Sequence, residues 1–147
     1  MLIDAAFNPT TERIIGAAVE VHRTIGPGLL ESTYLECLEC ELAERGLRYE
    51  RERVVTIVYK QKRLKKTYKL DLVVENLVVV EVKSVAALLG VHDAQVITYL
   101  KLTGYPVGLL MNFNVAKLMV GGVKRLVHPD ELRKHRARSR ESDRPVV

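Results

Sequence analysis

No stretch of this 147-residue chain approaches the run of about 18 apolar residues that a membrane helix requires, so a bilayer-spanning helix is not expected. The opening segment MLIDAAFNPTTER lacks the basic flank and apolar core of a signal peptide, and a cytoplasmic location without a membrane partner is the resulting expectation. Cysteine is scarce too. Cys37 and Cys40 have CxxC spacing, but they lie in ECLECELAERG, which reads as helix, and no second Cys pair or His cluster completes a zinc site. They read as two small, partly buried thiols on one helix face. Internal repeats are lacking, as is any zinc-finger or helix-turn-helix signature that would mark a separate DNA-reading module.

What is present is balanced: 48% hydrophobic and 28% charged residues, close to the average of soluble globular proteins. The length suits one domain with a real core, expected over residues 1–129, followed by a charged tail over 130–147 that forms a short helix or frays. The net charge of +5 is compatible with a polyanionic partner. Two runs hold much of the excess, KQKRLKKTYK at 60–69 and RKHRARSRESDR at 133–144. Each reads equally well as a phosphate contact or a solvated surface, and Lys62, Arg63, Lys65 and Lys66 are the candidate substrate contacts of the first run.

Apolar residues Ile14, Ile15, Ala18, Val21 and Ile25 recur at helical spacing, predicting a helix over Thr10–Ile25 capped by Thr10 or Thr11. Gly26-Pro27-Gly28 breaks it, more as a tight turn than as a phosphate loop. Leu35, Leu38 and Leu42 mark a second helix ending near Gly46. The period then changes. Strands are predicted over Arg53–Tyr59, Tyr68–Val74 and Leu77–Lys83, with Lys60–Lys66 and Glu75-Asn76 as turns. A helix over His92–Thr103 and strands near Val107–Phe113 and Ala116–Val123 complete an ααβββαββ order. The fold class is therefore α/β in the broad sense (α+β), a small mixed sheet flanked by helices.

Apolar strands exclude charge unless it is paired or bound to an ion. Asp71 interrupts YKLDLVV, while Glu81 and Lys83 sit in VVVEVKS at i, i+2 and so on one side of their strand. A two-residue hairpin loop would set Asp71 opposite Val80; a three-residue loop sets it opposite Glu81. The second register is preferred because it gathers two carboxylates and an ammonium, a site for a hard cation such as Mg²⁺ or Mn²⁺ helped by the main-chain carbonyl of Val82. The plainer alternative is a structural ion pair with Lys83. His22, on the buried side of its helix, reads as a satisfied core histidine.

The D-x9-E-x-K pattern resembles the PD-(D/E)XK nuclease superfamily, and Gly28-Leu29-Leu30-Glu31-Ser32-Thr33-Tyr34 is similar to the signature of its GxxExxY branch. VHRTIGPGLLESTY, YKLDLVV, VVVEVKS, AQVITYLK and GLLMNF follow in the family's order. The resemblance implies a restriction-endonuclease-like αβββαβ core with an extra N-terminal helix, and two further functional positions: Glu31 as an auxiliary acid and Gln95 as support for the lysine or substrate. Tyr99, one helical turn after Gln95, is a candidate for substrate binding. A metal-dependent nuclease is the implied function, with Asp71, Glu81 and Lys83 as catalytic residues and Asp71, Glu81 and Val82 as metal ligands. DNA ranks ahead of RNA as partner, and a homodimer is one way for so small a chain to cut two strands. The alternative is an idle nucleic-acid-binding or partner-regulating module on the same fold.

Overall fold

A computed structural model describes residues 8–142, so MLIDAAF and residues 143–147 lie outside it. The helical periodicity at the start becomes α1 (Asn8–Ile25), which buries Ile14, Ala17, Ala18 and Val21. Because α1 begins at Asn8, Thr10 and Thr11 lie inside its first turn rather than at its cap. Thr11 is buried and accepts a hydrogen bond from Arg125 instead. Helix α2 (Glu31–Glu44) buries Tyr34, Leu35, Leu38 and Leu42, and Gly46 supplies the left-handed turn (φ 71°) that ends it.

Strands β1 (Tyr49–Tyr59), β2 (Lys62–Val74), β3 (Val78–Lys83), β4 (Val107–Asn112) and β5 (Val123–Val127) form one sheet in sequence order. Only the β3–β4 pair is parallel, joined by the crossover helix α3 (Gly90–Thr103). A polar helix, α4 (Pro129–Ser142), closes the described chain, with Pro129 at the first helical position and Asp130 and Glu131 in the first turn. This is the expected mixed sheet with flanking helices, and α2-β1-β2-β3-α3-β4 is its restriction-endonuclease-like core. No described helix is long and apolar enough to cross a membrane.

Two expected elements differ. The basic run 60–66 is strand, not turn: only Lys60 and Gln61, at φ 47° and 69°, reverse the chain, and Lys62 already pairs with Tyr59. Such a two-residue turn matches the twist of a ribbon, so lysines that look like loop become the return strand. Nor is the segment 116–122 a strand, since β5 begins only at Val123. It is a looped segment in which Gly122 N–H bonds the Leu118 carbonyl and Gly121 turns at φ 80°. Its apolar character serves a single buried plug, Leu118, while Met119 and Val120 stay exposed.

The sheet is apolar on both faces because both are covered. On one face, α1 and α2 pack with Leu72, Val74, Val78, Val80 and Val82; on the other, Val73, Val79, Tyr99 and Leu100 group with α3. Full burial of such a side chain stabilises the fold by about 1.5–3 kcal/mol. Strand β2 changes its relation to these layers at one point. Leu72 joins the α1/α2 layer, whereas Leu70, which a regular strand would put on the same face, joins the α3 layer. Between them lies Asp71, across from β1 at Glu52, whose φ of 51° is irregular for a strand. The twist there frees Asp71 from regular pairing.

Candidate active site

The β2–β3 register decides the site. Leu72, Val73 and Val74 pair with Val80, Val79 and Val78, leaving a three-residue loop, Glu75-Asn76-Leu77, in which Glu75 and Asn76 take left-handed backbone. One step beyond the last pair, Asp71 meets Glu81, as the preferred hairpin requires. Side chains replace main-chain pairing at this step: the Asp71 N–H donates to Glu81 Oε1 at 3.1 Å, and the Val82 N–H donates to Asp71 Oδ2 at 2.8 Å.

Both carboxyls are poorly solvated. Glu81 is only 3% exposed, and its pKa is pushed up to about 8, first by burial and then by the Asp71 charge. Asp71 is raised as well, again chiefly by burial, against the lowering effects of the Val82 amide and the Lys83 ammonium. Two acids that contact each other away from water cannot both ionise cheaply, so the pair holds a proton near neutral pH unless a cation replaces it. Lys83, half-buried on the same side of β3 as Glu81, lies close enough to favour both carboxylates but forms no ion pair with either among the described residues.

Helix α2 brings Glu31 into electrostatic reach of Asp71, whose proton affinity it raises. The loop before α2 is held from two sides: the Tyr34 hydroxyl donates to the Gly26 carbonyl at 2.6 Å and accepts from Leu29 N–H, while Ser84, next to Lys83, donates to the Leu29 carbonyl at 2.7 Å. Tyr34 in turn stacks on Phe113, 4.6 Å between ring centres. The glycine turn is thus fastened to its own helix. Glu31 does not complete a three-acid cluster able to hold an ion; none occurs among the described residues.

Helix α3 supplies Gln95 and Tyr99. Gln95 Nε2 donates to the Tyr99 hydroxyl at 3.1 Å, and burial pushes that phenol up, followed by the nearby Glu81 charge. His92, for which the sequence suggests no role, accepts the Leu89 N–H at 2.9 Å and so caps α3. The basic candidates Lys62, Arg63, Lys65 and Lys66 are exposed on the outer half of β2; Lys66 stands about 17 Å along the strand from Asp71.

Sequence reasoning missed Asn112. It ends β4 beside Lys83, is 1% exposed, and clamps Val85 twice: Oδ1 accepts the Val85 N–H and Nδ2 donates to the Val85 carbonyl, each at 3.0 Å. This fixes the chain immediately after Lys83. A polar residue closing the apolar run GLLMN was its only signal. Elsewhere, His22 bonds the Val115 carbonyl at 2.8 Å as a satisfied core histidine, and Cys37 and Cys40 are free thiols, half-buried and exposed.

The donor set suits a hard divalent cation: two contacting carboxylates with little water, in a setting where positive charge would relieve their repulsion. In comparison with known proteins, the family model described as the PD-(D/E)XK nuclease superfamily matches residues 8–126. Among solved structures, the protein titled "Crystal structure of SSO0001" is similar, with a TM-score of 0.54 at 18% identity over 80% of this chain and 61% of that one. At that identity the likeness concerns the fold alone, and this chain spans about three fifths of that protein's length. No curated protein matches.

Proposed function

Because this chain belongs to the PD-(D/E)XK nuclease superfamily, whose members typically use divalent metals, we propose that it is a Mg²⁺- or Mn²⁺-dependent nuclease that hydrolyses phosphodiester bonds, with DNA favoured over RNA. The observation that carries this reading is the meeting of Asp71 and Glu81 as partly desolvated, repelling acids while Lys83 is left unlocked beside them. An idle module would be better served by Lys83 paired tightly between the carboxylates.

In this reading Asp71, Glu81 and the Val82 carbonyl hold the cation. When bound, the ion supplies Lewis acidity, polarising the scissile phosphate and lowering the pKa of water. The chain's own residues do the rest. The Val82 N–H holds Asp71 Oδ2 and the Asp71 N–H holds Glu81 Oε1, so neither carboxyl needs to reorganise. Lys83 stabilises negative charge gathering on the phosphate oxygens and orients the attacking water. Glu31, within electrostatic reach of Asp71, is an auxiliary carboxylate that accepts a proton from that water as a general base, and Gln95 holds the Tyr99 hydroxyl.

The finer assignments follow the same reading: membership of the GxxExxY branch, resting on Gly28, Glu31 and Tyr34; a domain ending near 129 with a basic appendage; cytoplasmic action; and a homodimer for cutting duplexes. The test is a cleavage assay with single- and double-stranded DNA and RNA in Mg²⁺, Mn²⁺ or chelator. Metal-dependent cleavage that disappears in Asp71→Asn and Glu81→Gln supports the proposal. Wild-type protein that binds Mn²⁺ yet leaves every polymer intact would move the assignment to the binding module.

A further inference from the structure

An apolar cleft of about 440 Å³ opens between the β1–β2 ribbon and α3. Ile57 and Tyr68 wall it from the ribbon, and Thr98 and Leu102 from the helix. Gln95 and Tyr99 line it too, and Tyr99 lies within electrostatic reach of Glu81 and Asp71, which do not themselves line the cleft. Tyr68 leaves 40% of its surface in solvent, and the Lys66 ammonium stands 6.0 Å from its ring centre. The exposed return strand around it carries Lys62, Arg63, Lys65, Lys66 and Lys69.

Resting on the nuclease reading of the Asp71 and Glu81 site, we propose that this cleft receives an unpaired nucleobase stacked on Tyr68, so that the strand is single or frayed where it enters the catalytic centre. A flat aromatic surface, apolar walls and a few amide and hydroxyl groups match a base, whose faces are apolar and whose edges hydrogen-bond. The flanking lysines match the phosphates on either side of it. A lipid tail or an apolar peptide would meet the same walls but would gain nothing from this charge. Bases of an intact duplex are stacked on their neighbours and present only their edges, so they reach a walled cleft only by leaving the stack.

The test uses the full chain in chelator, where nothing is cut, with a 12-nucleotide DNA strand, the same sequence as RNA, and the corresponding blunt DNA duplex as probes. A 2-aminopurine at successive positions of the single strand reports stacking. Thr98→Trp fills the cleft from an exposed helix position, Tyr68→Ala removes the platform, and Tyr68→Phe retains it. The expected result is single-strand binding at least about tenfold tighter than duplex binding, quenching of one 2-aminopurine, and loss of about tenfold affinity with both effects in Thr98→Trp and Tyr68→Ala but not in Tyr68→Phe. Equal affinity for the DNA strand and the RNA strand assigns recognition to the base; preference for one adds the sugar, and either agrees with the proposal. Duplex binding as tight as single-strand binding, or Thr98→Trp behaving as wild type, overturns it. Mn²⁺ binding measured on the same proteins separates this failure from failure of the catalytic reading.

Discussion

At the scale of single residues, the site is defined by charges that the strands should not contain. Glu81 has a folded-state pKa of about 8 against an ordinary value of 4.5, so its protonated form is favoured by folding. Its contribution to stability is full below about pH 4.5 and is lost as pH rises toward 8. In chelator, urea unfolding of the wild type relative to Glu81→Gln should show a loss on the order of 2 kcal/mol between pH 5 and 8. A difference that grows with pH would contradict the burial of this acid. In the proposed mechanism Lys83 acts on the reaction rather than on the ion, so Lys83→Ala should cut the cleavage rate by about 10²–10³-fold while leaving Mn²⁺ bound. Asp71, Glu81 and Lys83 were legible because an acid or base inside YKLDLVV or VVVEVKS violates the apolar rule of a covered strand. Asn112 was not, and Tyr34 stood out only through the resemblance without its role, since their work lies in bonds to Val85 and Gly26, which local pattern does not encode.

At the scale of elements, α3 reaches the site only because β4 lets it approach. A Cβ on Gly108 would stand 2.6 Å from Val96 Cγ1, so Gly108→Ala should push α3 outward and destabilise the protein by about 1–3 kcal/mol in urea titration. The β1–β2 ribbon bears the exposed basic run of the return strand. Replacing Lys62, Arg63, Lys65 and Lys66 with Ala should flatten the salt dependence of DNA binding, reducing the slope by up to about four for direct phosphate contacts, without altering Mn²⁺ affinity. An unchanged slope would mark these lysines as mere solvated surface. The ribbon was the least readable element because lysine-rich sequence disfavours strands, and only the left-handed pair Lys60-Gln61 marks its turn. Conversely, AKLMVGGV has strand-like residues but two glycines, and the loop it forms buries one leucine. Helix α1 was readable from its 3.6-residue apolar spacing, and α2 and α3 nearly to their ends because Gly46 and Gly104 mark where each stops.

At the scale of the whole molecule, one mixed sheet divides the labour. One face holds α1 and α2 and most of the core, while the other packs on α3, whose Tyr99 lines the cleft within electrostatic reach of Asp71 and Glu81. A nuclease of this kind requires that those acids take a divalent cation. Anomalous difference density from Mn²⁺-soaked crystals of the wild type and of Asp71→Ala tests this without a substrate and tolerates weak affinity. A peak against Asp71 and Glu81 in the wild type, absent from the mutant, is the predicted result. No peak at saturating Mn²⁺, with Lys83 Nζ seated between the two carboxylates, would contradict it.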